Sequence, residues 1–313
     1  TGWHVGRPDL PTVRLSVPVK RLLIVLLPLS LAACATAGRP SGQLSSYDRL
    51  TPREGALRTH VSRLKISPQA PRITRVLIEP ARIVDGPRTA WLTAEERTAL
   101  LREMDAQVCF EISERYDLTY SPADADARVR TLITRVRPTG KFGSAAAAAA
   151  GFFIPGPLGV RLPGALGGLG AEAEMVDPQG RQLAALVWNR NATTLGTDDP
   201  SLSRLGDALQ FVEPFADATA AAMTPEGVKS RRIADDDPCA QFGARFRPEG
   251  WAAKFATGLY VPQMSGARAV PAAPSVAPRA ARAARGAGEH RLGRAGHVRG
   301  RARANRRSGQ RAG

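Results

Sequence analysis

Apolar positions along the chain fall into a few segments, and their period decides what each segment can become. Ile73-Thr74-Arg75-Val76-Leu77-Ile78-Glu79-Pro80 is rich in β-branched residues and closed by proline, which predicts a strand. Thr93-Ala94-Glu95-Glu96 has the form of a capping box, with Thr93 as cap and Glu96 at the third helical position. Leu101, Met104, Val108 and Ile112 follow at spacings of three and four, which predicts one helix through about Arg115. Ala127 to Arg137 predicts a second strand, carrying Val129, Leu132, Ile133 and Val136, and Ala171 to Val176 a third. Asp177-Pro178-Gln179-Gly180 is a tight-turn sequence, since proline presets φ and glycine closes the turn. Arg181 to Arg190 then predicts a returning fourth strand. Ser203 to Met223 reads as helical, with Leu205, Leu209, Val212, Phe215 and Met223. Pro214 inside it predicts a kink or two short helices.

This element order predicts an α/β fold, an α+β sandwich. Its core is a small mixed or antiparallel sheet of about four strands, backed by two main helices, with disordered ends. Its 43% hydrophobic content is enough for a packed core. Charge changes the picture only once it is mapped. Of the net +16, residues 266–313 supply +11, from twelve arginines against the single acid Glu289. The remaining +5 makes the body only mildly basic, so total charge does not argue for nucleic acid. No aromatic residue interleaves with the tail arginines to stack bases, and no nucleic-acid partner is expected.

Near the start, Lys20-Arg21 precede the apolar run Leu22–Leu29, which is too short for a bilayer core needing about 20 apolar residues. It has the length of a signal-peptide apolar region. Leu31-Ala32-Ala33-Cys34 resembles the lipobox of bacterial lipoproteins. That resemblance implies cleavage between Ala33 and Cys34, lipidation of Cys34, and attachment to a membrane through several acyl chains. Ala35, where aspartate would mark inner-membrane retention, points by the same analogy to the outer membrane, facing the periplasm. Residues 1–18 are then expected to be an upstream non-native extension, with Val19 as the initiator. Residues 19–33 form the signal peptide and 34–46 a small, polar tether.

The segment Ser41-Gly42-Gln43-Leu44-Ser45-Ser46-Tyr47-Asp48-Arg49-Leu50 resembles the opening of a bacterial lipoprotein family known as domain of unknown function 3313. Gln43 stands where that family usually has an aromatic residue. The strand running into Ile78-Glu79-Pro80, the Thr93–Glu96 helix start, the segment from Ala171 to Ala185 and Gly206-Asp207-Ala208 are similar too. The resemblance spans about residues 41–225. It implies a lipid-anchored envelope component without known catalytic residues, folded over residues 47–225.

Residues 143–170, with Arg161 as their one charge, are punctuated by glycine and proline. They are read either as a loop over the domain's own core or as a contact for an envelope protein or lipid. Beyond the domain, residues 226–264 hold Phe242, Phe246, Trp251, Phe255 and Tyr260, expected as an extra strand or a docking segment. Residues 265–313 are expected to be disordered, a basic tail able to contact anionic envelope polymers.

Candidate chemistry is sparse. His60 is the only histidine in the domain and reads as a surface residue; no zinc, nucleophile or phosphate-loop motif is present. Asp235-Asp236-Asp237 lacks the spacing of a calcium loop and reads as a solvated turn, so no metal or cofactor is expected. Cys109 and Cys239 are either a disulfide, favoured by an oxidising periplasm, or two separate buried thiols. The function implied is a non-enzymatic, outer-membrane-anchored lipoprotein docking on another protein or assembly. The alternative is a periplasmic small-ligand binder, or an enzyme with an unrecognised site.

Overall fold

In the computed structural model, residues 1–2, 40–53, 59–141, 159–160, 166–196, 198–233 and 236–267 are described, and all lie within one compact unit, Thr1–Ala269. Strands are β1 (Thr51–Pro52), β2 (Thr59–Leu64), β3 (Arg75–Ile78), β4 (Arg82–Ile83), β5 (Asp117–Leu118), β6 (Ala127–Arg137), β7 (Gly159–Val160), β8 (Gly168–Val176), β9 (Gln182–Asn191) and β10 (Leu195–Gly196). Helices are α1 (Ala94–Ser113), α2 (Gly206–Gln210), α3 (Val212–Met223) and α4 (Pro248–Thr257), followed by a single helical turn at Pro262–Ser265. Among the described residues no helix is long and apolar enough to cross a membrane.

The sheet is mixed and larger than expected. Eight strands run in the order β1-β2-β9-β8-β6-β3-β5, with β4 also paired to β6; β7 and β10 form a separate antiparallel ribbon. The expectation of about four strands finds only β3, β6, β8 and β9. β6, β8 and β9 form the long antiparallel centre, whereas β3 and β4 run parallel to β6. The strands that sequence periodicity misses are too short or too polar to carry an apolar pattern. β2, Thr-His-Val-Ser-Arg-Leu, buries fully only Val61, and its place is set by backbone pairing to β9 from Thr59↔Arg190 to Leu64↔Ala185.

Alternation along the central strands divides the side chains between two faces. Leu169, Ala171, Ala173 and Met175 of β8 and Ala184, Leu186 and Trp188 of β9 meet the helices in the main core. From α1 that core receives Leu100, Met104, Val108 and Ile112; Leu101 is only partly buried, so the face centres one residue earlier than the spacing suggests. Thr93 caps α1 through a complete capping box. The expected break near Pro214 occurs at Phe211, between α2 and α3. That leaves Pro214 as the third residue of α3, where its missing N–H costs nothing. Trp188 sits edge-on to Phe211 and Phe215, centroids 6.4 and 5.9 Å apart.

Two expectations for the ends of elements need correction. The Gly-rich end of the insert belongs to β8: a Cβ on Gly168 or Gly170 would lie 2.4 Å from the Oδ1 of Asn191 or Asn189. These glycines serve close strand packing. The aromatic extension is helical, not a strand, because Pro248 opens α4 and Gly258, at φ 67°, closes it.

Candidate functional site

The outer face of the sheet is covered by the chain that leads into the domain. Leu44 is buried there with Leu132, Ala185 and Val187, and Tyr47 and Leu50 pack against them. Polar pairing holds this strap as well. Glu172 and Glu174 alternate with Ala171 and Ala173, so both carboxylates point away from the helices, and each is only 1% exposed. Glu172 accepts from the Ser41 backbone N–H at 2.7 Å, the Ser41 hydroxyl at 2.6 Å and the Tyr47 hydroxyl at 2.7 Å. The Tyr47 oxygen in turn accepts from the N–H groups of Gln43 and Leu44 at 3.0 and 3.1 Å.

Glu174 accepts from Ser45 N–H at 3.0 Å and the Gln182 amide at 2.9 Å, and is ion-paired with Arg130. Arg49 donates to the Gln182 carbonyl at 2.7 Å. An uncompensated buried carboxylate would cost several kcal/mol, so these donors are what let the glutamates stay on a covered face. Burial and the facing Glu172 push the Tyr47 phenol above its ordinary pKa, against its hydrogen bonds with the Ser41 side chain and the Leu44 backbone, and it remains a neutral donor. Burial raises Glu174, but its donors and Arg130 outweigh that and hold it below the ordinary carboxylate value. The expected tether therefore ends at Ser41; residues 41–46 are bound to the sheet.

On the helical side lies a polar pocket of about 320 Å³, lined by α1, α3, the end of β9 and the chain after α4. Arg190 pairs with Asp198 and lies 4.4 Å over the Phe211 ring. Glu103 accepts from Gln107 at 2.7 Å and faces Arg247 at 3.9 Å. Burial, with Glu103 adding to it, pushes the Tyr260 phenol well up. Asp198, Asp199 and Glu103 are already met by Arg190, Lys254 and Arg247, so the pocket would suit a polar rather than a cationic small molecule. A second, apolar groove of about 380 Å³ runs along Leu77, Ile78, Leu118, Tyr120 and Phe242. At its wall burial raises Asp105, whose carboxylate accepts from Ala81 N–H at 2.7 Å.

Of the residues singled out in the sequence, Cys109 and Cys239 are joined in a disulfide, Cα–Cα 5.9 Å, which ties the chain beyond α3 to α1. Ala33 and Cys34 lie outside the described residues, as do residues 3–18 and most of the insert and the tail. Asp237 is engaged by Arg245, with Nε 3.2 Å from Oδ2. Among the described residues no cluster of three or more His, Cys, Asp or Glu is placed to hold a metal. Glu172, Glu174 and the strap were not foreseen as partners. The usable signal is two carboxylates at i and i+2 in a strand otherwise made of small and apolar residues.

A sequence model for the family described as "Protein of unknown function (DUF3313)" matches residues 39–219, from just before the strap to within α3. No curated protein matches the chain. Among solved structures, the PelC dodecamer from Paraburkholderia phytofirmans is 8% identical at a TM-score of 0.33, covering 54% of this chain and 99% of that one. A DUF4136 family protein from Bacteroides thetaiotaomicron is 11% identical at 0.28, covering 56% and 99%.

Proposed function

The chain belongs to the DUF3313 family, and from that premise we propose that it is a lipoprotein of the bacterial outer membrane, a non-catalytic periplasmic component held by acylated Cys34. The lipobox-like Leu31-Ala32-Ala33-Cys34 supports this reading, and the strap sets how closely an acylated Cys34 would hold the domain. Glu172 and Glu174 fix the chain from Ser41 onward to the sheet. Seven residue steps separate Cys34 from Ser41, a reach of ~25 Å at most. A lipid on Cys34 would therefore keep the domain against the bilayer rather than let it roam on a long leash. The Cys109–Cys239 bridge accords with an oxidising compartment. Within this reading, the apolar insert 143–167 is the surface that meets another envelope protein.

A second reading has its own support: the polar pocket around Glu103, Arg190 and Tyr260 suits a small periplasmic ligand. Growth with an alkyne fatty acid followed by membrane fractionation tests the main reading. The wild-type chain takes the label and sediments with outer membranes, and Cys34→Ala loses both. Equal labelling of the two chains, or none of either, overturns it.

A further inference from the structure

The apolar groove beside α1 has walls from three separate stretches of chain. The end of β3 and the residues after it supply Leu77 to Pro80, and β5 with its continuation supplies Leu118 to Tyr120. α1 contributes Asp105 and Cys109, and Gln241 and Phe242 close the groove. This last wall is pinned in several ways. Cys239, two residues before Gln241, is bridged to Cys109. The Tyr120 hydroxyl donates to the Pro238 carbonyl at 3.1 Å, and Arg102 donates to the Gln241 carbonyl at 3.2 Å. Phe242 meets Phe110 edge-on, with centroids 6.5 Å apart. Walls fixed in this way cost little further ordering when a ligand enters. A volume of about 380 Å³ is that of a small-molecule site.

Asp105 decides which chemistry fits. Its Oδ1 accepts from Ala81 N–H at 2.7 Å, and among the described residues its carboxylate has no ion-pair partner. Arg102, one turn away on α1, is drawn to Gln241 and stands over the Phe242 ring at 5.9 Å. Burial disfavours the Asp105 charge more than the Ala81 N–H and Arg102 together favour it. Glu79, the other acid of the groove, already faces Arg128 at 3.8 Å. One under-compensated carboxylate thus stands in an apolar wall, and such a group gains most from a cation brought into the same desolvated place. We propose that this groove binds a small apolar molecule carrying one ammonium group, its hydrocarbon body against Leu77, Ile78, Leu118 and Phe242 and its cation on Asp105. The site lies apart from the polar pocket around Glu103 and needs no acyl chain on Cys34.

The test uses the full chain with Cys34→Ala, so that no acyl chain competes for the groove, labelled with nitrogen-15. Phenylbutylamine is the probe, with neutral phenylbutanol and anionic phenylbutanoate as partners of the same hydrocarbon body. The amine is expected to shift the amide signals of Leu77, Ile78, Leu118, Thr119, Gln241 and Phe242 saturably. Phenylbutanol should bind the same residues about tenfold more weakly, and phenylbutanoate more weakly still. Asp105→Asn keeps the size and the acceptor for Ala81 N–H. It is expected to lower the affinity for the amine about tenfold, to that of the alcohol, and to leave the alcohol unchanged. Equal affinity of amine and alcohol for the parent chain overturns the proposal without any variant. So do amine binding unchanged in a folded Asp105→Asn chain, no shift with any of the three probes, or shifts confined to Arg190, Glu213 and Tyr260.

Discussion

Tyr47→Phe isolates the strap's attachment with the smallest change available. It removes the donor that reaches Glu172 at 2.7 Å and the acceptor used by the N–H groups of Gln43 and Leu44. The ring itself stays to pack on the outer face. A hydrogen bond to a charged group contributes about 1.5–3 kcal/mol, and at ~2 kcal/mol the opening equilibrium of the strap rises about 30-fold. Because the strap lies outside the main core, this is a local opening that leaves global unfolding little changed. Hydrogen exchange read by mass spectrometry on peptides covering residues 41–53 would show the acceleration, while α1 peptides keep their rates. Glu172→Gln should act on the same contact, so the double variant falls short of the sum of the two. Wild-type exchange of the strap in Tyr47→Phe, or full additivity of the pair, would refute the clamp.

Other consequences can be checked by denaturation. Opening the Cys109–Cys239 bridge, which spans 130 residues, costs about 5 kcal/mol in the chain-entropy model. The Cys109→Ser, Cys239→Ser chain should then unfold at a much lower denaturant midpoint, and equal midpoints contradict this. Glu174 has a depressed pKa when folded, so its contribution is complete above the ordinary value of 4.5 and is lost as pH falls through the lower folded value. Glu174→Gln should flatten the acid limb of the stability curve, and an unchanged limb assigns it elsewhere. Gly206→Ala forces a Cβ to 2.2 Å from the Ser201 Cβ; a loss of about 1–3 kcal/mol is expected from such overpacking, measured by urea titration. Thr93→Ala removes the α1 cap for about 1 kcal/mol.

β6 and α1 were legible from local composition. β6 occupies Ala127–Arg137, the span its β-branched and aliphatic residues mark although a register shift falls between Ile133 and Arg135, and Thr93 caps α1 as its sequence requires. β1, β4 and β5 have two residues each and exist through pairing, which no local pattern records. Of the two readings of the aromatic extension, strand or docking segment, the strand is replaced by α4, because Pro248 and Gly258 bracket it as helix punctuation does. The strap was harder still. Ser41 and Tyr47 meet Glu172 from more than 120 residues away, and the family's opening motif gains its physical sense only when the sheet brings the two together. Composition could mark the carboxylates in β8 as unusual, but could not say what would satisfy them.

Mass spectrometry of the N-terminal peptide, from protein extracted with detergent out of outer membranes, bears most directly on the attachment of this domain. The account predicts a chain beginning at Cys34, heavier than its unmodified sequence by a thioether-linked diacylglycerol and an amide-linked acyl group. A mature chain with an unmodified Cys34, or one whose N-terminus retains residues 19–33, would contradict it.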